Sequence, residues 1–338
     1  MTKQKKRGFD GLFRGIGSFF FSIGLIGLGW IFYSRRYIDH SVKTGDLLTA
    51  ERDEYSSNRA GRLSYYADRS GKGVPLLTLH SINAAAGVQE ISPIFNAFRG
   101  HRPVYALELP GFGKSERGVR QYSPELYKNA IIDFIKDVIA DQADVVALSL
   151  TCEFSAMAAK EHPDLIRSVV MISPTGFQLP RSTREFNKEK AGGLQNLIYA
   201  ILAVPLWSRA LFDLIASRPS IAYFLQKSFE NAIPAGMVET AYANAHQPGA
   251  HCAPIAFISG KLFTKNIRQS VYNLLELPIL VLYDRDAFVS FEMLANTANE
   301  NSNWTVVRIK PTRGMPHFDK PGETFFNMDQ FWNKLPKK

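Results

Sequence analysis

The sequence is poor in residues that build metal and disulfide sites. Its two cysteines, Cys152 and Cys252, lie 100 positions apart and match no metal-ligand spacing, so neither a disulfide framework nor a cysteine metal site is expected. The chain also lacks a glycine-rich phosphate-binding loop, zinc-finger spacing and any run of interleaved basic and aromatic residues. These absences argue against a nucleic-acid partner, and no cofactor is expected.

Charged residues are not abundant, and their imbalance is local. They make up 21% of the 338 residues, against 46% hydrophobic residues, which is typical of a globular protein. The formal net charge is +9, but much of the excess lies near the N-terminus. A chain of this length is compatible with one α/β domain that carries an insertion.

One long apolar run lies near the N-terminus. Residues 15–34 are uncharged, and Arg35 and Arg36 close the run. About 20 residues at about 1.5 Å each would span a bilayer as a helix, whereas a signal peptide would be shorter and would carry a cleavage site. We therefore expect residues 1–36 to anchor a single-pass protein in a lipid bilayer. A slight excess of basic residues before the run favours an extracytoplasmic position for the rest of the chain.

Hydrophobic patterning divides the remaining chain into segments. Residues 37–60 are polar and weakly periodic and are predicted to form a linker. Strands and helices then alternate over 61–176, which predicts a mainly parallel sheet with helices on both faces. Residues 177–260 are helical in pattern with no strand between the helices, which indicates an insertion, and alternation resumes over 261–338.

One predicted strand runs directly into a helix through a serine. The segment VVALSLTCEF places Ser149 at this junction, with Ala147 and Thr151 two positions to either side. Taken alone, a serine after a buried strand is more often a turn or capping residue than a nucleophile. Cys152 has no basic neighbour that would lower the pKa of its thiol, so it is expected to pack as a small buried residue.

The chain resembles the α/β-hydrolase superfamily over residues 61–334. Its clearest local marker is RPVYALELPGFGKSER, which is similar to the strand and loop that these enzymes carry before the nucleophile helix. The resemblance implies a doubly wound, mainly parallel α/β-hydrolase fold in which residues 177–260 form a helical lid. It makes Ser149 the nucleophile of a strand–turn–helix elbow. Thr151 is the larger departure from the family's glycines, because a β-branched residue crowds the neighbouring strand.

The resemblance also implies an acid and a base. The segment DRDAF offers Asp284 and Asp286. Asp286 is favoured because the family's aspartate is followed by a small residue or proline, whereas Asp284 could cap the turn. The base is expected at His317, after the last predicted strand and before the last helix. A neutral imidazole could accept the serine proton, and the carboxylate would hold the imidazole in the right tautomer. The order Ser149, Asp286, His317 is that of the superfamily.

Two backbone N–H groups should form the oxyanion hole. By resemblance these belong to Leu150, directly after the nucleophile, and to Ile82, in the loop where His80 and Ser81 replace the usual His-Gly. His80 is expected to orient this loop rather than to react. Asn83 could contact the substrate or serve as a turn residue.

With serine at the elbow, the chain resembles the esterases of the superfamily. The implied reaction is two-step acyl transfer on a small-molecule ester or lipid-like substrate, through an acyl-enzyme. Serine enzymes that cleave carbon–carbon bonds or use peroxide are alternatives that a triad cannot separate. A further alternative, motivated by Thr151 and Ser81, is a membrane-anchored binding protein on a non-catalytic hydrolase scaffold. The sequence predicts no particular oligomeric state.

Overall fold

The computed structural model describes residues 24–42, 44–179 and 188–336, and the strands within them form one sheet. They are β1 (Glu51–Ser57), β2 (Gly61–Asp68), β3 (Leu76–Leu79), β4 (Val104–Leu107), β5 (Ala143–Leu148), β6 (Ile166–Ile172), β7 (Ile279–Tyr283) and β8 (Trp304–Arg308). Their spatial order is β1-β2-β4-β3-β5-β6-β7-β8. The pairs of β2 with β1 and β4 are antiparallel and all others are parallel, which confirms the predicted mainly parallel sheet.

Helices cover both faces of the sheet, because parallel strands need long crossover connections, which are helical here. The helices of the described residues are α1 (24–37), α2 (Ser92–Phe98), α3 (Pro124–Phe134), α4 (Thr151–Glu161), α5 (Lys188–Leu202), α6 (Ser208–Ile215), α7 (Arg218–Ser228), α8 (Met237–Ala245), α9 (Cys252–Ile258), α10 (Ile267–Ser270), α11 (Leu294–Glu300), α12 (Pro316–Asp319) and α13 (Pro321–Asn333).

The sheet carries a hydrophobic core on each face. Successive side chains of a strand point to opposite faces. Leu77 and Val145 accordingly belong to one buried cluster, with residues of α3 and α4, whereas Leu76 and Val146 belong to a second cluster, with residues of α2 and α13. Since its central strands are buried on both sides, the sheet offers a ligand only its ends, and the carboxyl ends of the parallel strands meet at one edge.

The described part of the N-terminal helix α1, residues 24–37, packs on the insertion. Trp30 Nε1 donates to the Ala210 carbonyl (2.7 Å), and Ser34 Oγ donates to Asp213. Among the described residues, no helix has the length and apolar character needed to cross a membrane. This finding contradicts the predicted transmembrane anchor and single-pass localisation; residues 1–23 of that prediction lie outside the described residues.

The segment predicted as a linker contains a strand. In residues 37–60, β1 pairs antiparallel with β2 from Glu51 opposite Ala67 to Ser57 opposite Gly61. Most side chains of β1 are exposed, so the sequence shows no alternation of apolar and polar residues that would predict it. The strand forms because its backbone pairs with the edge of the sheet.

The insertion is helical where it is described. Between β6 and β7 the chain forms α5 to α10, with no strand among the described residues. Phe212, Ala216 and Ala245 of this region form a small buried cluster of their own. The helices therefore pack partly on one another, beside the carboxyl end of the sheet.

Candidate active site

Ser149 lies at a sharp turn between β5 and α4. Its φ is 57°, in the left-handed region that costs a residue with a side chain roughly 1–2 kcal/mol. The Ser149 N–H donates to the Ile172 carbonyl of β6 (2.9 Å), and the Cys152 N–H donates to the Ser149 carbonyl (3.1 Å). The Ser149 hydroxyl makes no hydrogen bond with another described residue. The turn therefore holds a free hydroxyl at the end of the central strand.

Thr151 is accommodated by a hydrogen bond that glycine could not make. Its side chain is completely buried, and Oγ1 donates to the His80 carbonyl (2.7 Å). The hydroxyl thus ties the first turn of α4 to the loop after β3. Ala147 is also completely buried in β5. Cys152 is buried too, and burial raises the pKa of its thiol, as expected for a packing residue.

Both ring nitrogens of His80 form hydrogen bonds with backbone groups of neighbouring loops. Its Nε2 accepts a hydrogen bond from the Leu109 N–H (3.1 Å), which leaves Nδ1 to donate to the Ser81 carbonyl (2.7 Å). Burial lowers the pKa of His80 to about 4, so the ring is neutral near pH 7. This geometry is compatible with the predicted orienting role of His80 and leaves it no free nitrogen for chemistry.

Glu90 is a site residue that sequence reasoning missed. Its buried carboxylate accepts hydrogen bonds from the Ser81 N–H (2.9 Å) and from Asn83 Nδ2 (2.7 Å). Asn83 also donates to Ser81 Oγ (2.8 Å) and therefore serves this loop as a structural residue. Burial raises the pKa of Glu90. The available signal was an acidic residue directly before Ile91, the first residue of the predicted apolar helix face.

Two backbone N–H groups near Ser149 are unpaired. They belong to Ile82, which lines the same cavity as the serine, and to Leu150, which directly follows it. Neither N–H donates to another residue within the described ranges. A developing oxyanion is stabilised by free N–H groups that lie beside the nucleophile. Both predicted donors are thus unpaired among the described residues, and their role as the oxyanion hole stays a prediction.

The two candidate acids have different surroundings. Asp286 lines the cavity with Ser149, and its Oδ1 accepts hydrogen bonds from the N–H groups of Phe288 (2.7 Å) and Val289 (3.2 Å). Burial raises the pKa of Asp286, and these two hydrogen bonds partly oppose the effect. Asp284 instead accepts from Arg308 Nε (2.7 Å) and does not line the cavity. The structure brings Asp286, and not Asp284, to the serine's cavity.

His317 is not brought to the cavity. It lies in α12 with its side chain completely buried, and its Nε2 is 2.6 Å from the Glu90 carbonyl oxygen, to which it donates. Its Nδ1 is buried with no hydrogen-bond partner among the described residues. Burial lowers the pKa of His317 to about 4. Among the described residues no hydrogen bond joins His317 to Ser149 or Asp286, and the role of His317 as the base stays a prediction.

The cavity at Ser149 has a volume of about 290 Å³. Ser149 and Ser173, which follow the ends of β5 and β6, contribute hydroxyl groups, and the hydroxyl of Ser173 is buried without a described partner. Much of the remaining lining is apolar and comes from α6 to α9, namely Ile215, Ile221, Phe224, Met237 and Phe257. Gly314 and Met315, in the connection before α12, complete one side.

A second cavity, of about 740 Å³, does not contain Ser149. It includes Glu153, whose carboxylate is already bound by Thr175 and by the N–H of Thr264 (2.8 Å). Its lining also includes Leu179, the last described residue before α5. Because the carboxylate of Glu153 is already paired and Ser149 lies in the smaller cavity, the cavity at Ser149 is the better candidate site.

Residues 74–321 match the model of a protein family described as alpha/beta hydrolase fold. A 2-(acetamidomethylene)succinate hydrolase from Mesorhizobium japonicum is 29% identical over 127 residues, which are 37% of this chain and 45% of that protein. The 1-acylglycerol-3-phosphate O-acyltransferase ABHD5 of Mus musculus is 24% identical over 160 residues, which are 46% of this chain and 41% of that protein. The chain thus spans less than half the length of these curated relatives.

A solved structure shares the fold over almost the whole chain. The crystal structure of a membrane phospholipase A, described as a bacterial virulence factor, has a TM-score of 0.62 with this chain. It is 18% identical, and the match covers 97% of this chain and 98% of that one. At this identity the likeness concerns the fold.

Proposed function

The chain belongs to the α/β-hydrolase fold family, and we propose that it hydrolyses a small, largely apolar molecule at an acyl carbonyl, with Ser149 as the nucleophile. The observation that carries the proposal is the position of Ser149, at a strained turn that presents its free hydroxyl to a cavity. Backbone strain of this kind persists only where the surrounding structure maintains it, and it is concentrated at functional sites.

The groups around Ser149 suit the attack of a hydroxyl on a carbonyl carbon. As the Ser149 Oγ bonds to that carbon, negative charge develops on the carbonyl oxygen. The unpaired N–H groups of Ile82 and Leu150 are the donors that we assign to this oxygen. Glu90 and Thr151 hold the Ile82 loop in place through their bonds to the N–H of Ser81 and the carbonyl of His80.

The lining of the cavity indicates the class of substrate. Side chains such as Ile221, Phe224 and Phe257 favour an apolar acyl or alcohol group. We propose that α5 to α9 act as the lid that selects this group, since α6 to α9 supply most of the apolar lining. The reactions in the relatives' names, a hydrolysis and an O-acyl transfer, are of the kind proposed here, and a carboxylic ester is the substrate class that we favour.

A second candidate function is ligand binding without turnover. It is favoured by one observation, that none of the chain's seven histidines, all of which lie in described residues, lines the cavity at Ser149. A pocket without an imidazole could retain a carbonyl ligand on the N–H groups of Ile82 and Leu150 while turning it over very slowly. The two candidates share the pocket and differ in the reactivity of Ser149.

Covalent labelling of the full-length chain separates these functions. We expect a fluorophosphonate probe to label the native protein at Ser149, and turnover of p-nitrophenyl esters of increasing chain length to be lost in Ser149→Ala. Ser173→Ala is the matched control, because Ser173 lines the same cavity and also has positive φ, and this variant should still be labelled. A folded protein that binds apolar esters, as a rise in Tm would report, but is never labelled would support the binding function instead.

A further inference from the structure

We infer that Asp213 is a positioning residue through which the N-terminal segment fixes α6, one wall of the cavity at Ser149. The inference rests on the proposed function, because it concerns which substrates that cavity accepts. We call residues 30–42 the N-terminal strap. The strap binds one side of α6 and the opposite side of α6 lines the cavity, so the strap determines how well a long acyl group fits.

Asp213 is a buried carboxylate whose close partners come from the strap. Its side chain is 1% exposed. Ser34 Oγ donates to its Oδ2, and His40 Nε2 lies 3.0 Å from each of its two oxygens. A carboxylate only accepts hydrogen bonds, so His40 Nε2 carries the proton that it shares with Asp213. A buried charge without such partners is costly, and these bonds therefore fasten the strap to α6.

The strap contacts the insertion at two further points. Trp30 Nε1 donates to the Ala210 carbonyl of α6 (2.7 Å). At its other end, the Val42 carbonyl accepts a hydrogen bond from Gln247 Nε2, two positions after the end of α8. The strap thus binds α6 through both backbone and side chain and also reaches α8.

The side of α6 opposite Asp213 faces the site. Asp213 and Ile215 are two positions apart, which a helix turns into a rotation of about 200°. Ile215 lines the cavity at Ser149. Phe212 belongs to the small buried cluster of this region, against which Ala84 and Ala85 pack, and these two alanines also line the cavity. A shift of α6 would therefore change the shape of the apolar part of the cavity.

The second histidine near Asp213 does not replace His40. Within the described ranges, the ion pairs of Asp213 are with His40 and His246. His246 Nε2 is 3.9 Å from Oδ1, beyond hydrogen-bond distance, and burial lowers the pKa of His246, so its ring is neutral near pH 7. Loss of the His40 side chain would leave Ser34 as the one close partner of this carboxylate.

Release of the strap should change binding more than chemistry. In the part of the chain that the structure describes, the lining of the cavity includes no residue of the strap. Ser149 and the backbone around it belong to β5, α4 and the turn between them, which the strap does not contact. A looser wall weakens the fit of a long apolar group in ground state and transition state alike, which raises KM and leaves kcat.

Initial rates of the full-length chain with p-nitrophenyl acetate and octanoate test the inference. In His40→Ala we expect KM for octanoate to rise about tenfold with kcat within about threefold, and KM for acetate, which reaches little of the apolar wall, to stay within about twofold. Asp213→Ala should behave in the same way. His40→Gln, whose side-chain amide can donate from about the position of Nε2, should stay within about threefold of the native KM for octanoate.

Asp144→Ala is the matched control. Asp144 is also a buried carboxylate, with ion pairs to Arg102 and Arg167, but it lies near the start of β5, at the end of the strand away from Ser149. Urea unfolding should report a loss of stability for Asp144→Ala and Asp213→Ala, while KM for octanoate rises only in the strap variants. An equal rise in folded Asp144→Ala, or a native KM in folded His40→Ala, would overturn the inference and leave the proposed function intact.

Hydrogen exchange gives a readout that needs no turnover. Measured by mass spectrometry, the backbone amides of α6 and α8 should exchange at least about tenfold faster in His40→Ala than in the native protein and His40→Gln, with α3 unchanged. Unchanged exchange in α6 would overturn the inference. If the native protein turned over no ester and Ser149 were never labelled, while exchange still rose in His40→Ala, the proposed function would fail and the control of α6 by the strap would be supported.

Discussion

The hydrogen bond from Thr151 to the His80 carbonyl gives a sharp test of how the loop after β3 is positioned. Thr151→Val keeps the shape of the side chain and removes the donor, so the buried carbonyl loses its side-chain partner. An unpaired buried polar group costs about 1–3 kcal/mol, and Tm of a domain this large falls by about 2–4 °C per kcal/mol. The loop that carries Ile82 should also move, and we expect Ser149 labelling to slow about tenfold, equivalent to about 1.4 kcal/mol.

Thr78→Val is the matched control for this prediction. Thr78 is also completely buried, and its Oγ1 donates to the Tyr105 carbonyl (2.9 Å), away from the cavity. Urea unfolding followed by circular dichroism should report similar losses of stability for the two variants, while fluorophosphonate labelling slows only in Thr151→Val. Equal labelling rates in both variants, or no loss of stability in Thr151→Val, would refute the argument that this hydroxyl positions the loop.

Three other variants test the electrostatics and strain of the site. Folding raises the pKa of Asp286, so the stabilisation from its protonated form is present below the unfolded pKa and is lost as pH rises through the folded pKa. Asp286→Asn should therefore have a higher Tm than the native protein at pH 8. This difference in Tm should disappear below about pH 4. Asp284→Asn should lower the free energy of unfolding in urea by about 1 kcal/mol, because it removes an ion pair in which Asp284 is buried and Arg308 is exposed. The rate of Ser149 labelling should stay within about threefold of the native rate. Ser149→Gly should be about 1 kcal/mol more stable than Ser149→Ala in thermal unfolding, because glycine adopts the positive φ without strain, and equal stabilities would contradict that strain.

The sequence predicted those parts of the fold whose stabilising interactions are visible in local pattern. The strands from β3 to β7 are short, largely apolar runs, and burial on both faces gives them that composition. β1 was missed because its stabilisation comes from backbone pairing with β2 while most of its side chains are exposed. The prediction of a transmembrane span over 15–34 is contradicted by the finding that no described helix has the length and apolar character needed to cross a membrane.

For the site, the sequence by itself determined which chemical groups the connections after the strands carry: a serine after β5, two aspartates after β7, and a glycine and a histidine after β8. Only the tertiary structure decided which of these share a cavity. It placed Ser149, Asp286 and Gly314 together, turned Asp284 to Arg308, and buried His317 against Glu90. The physical reason is that the side chains of neighbouring residues in a connection point in different directions, according to the backbone dihedral angles. Packing and hydrogen bonds with residues far away in the chain set these angles.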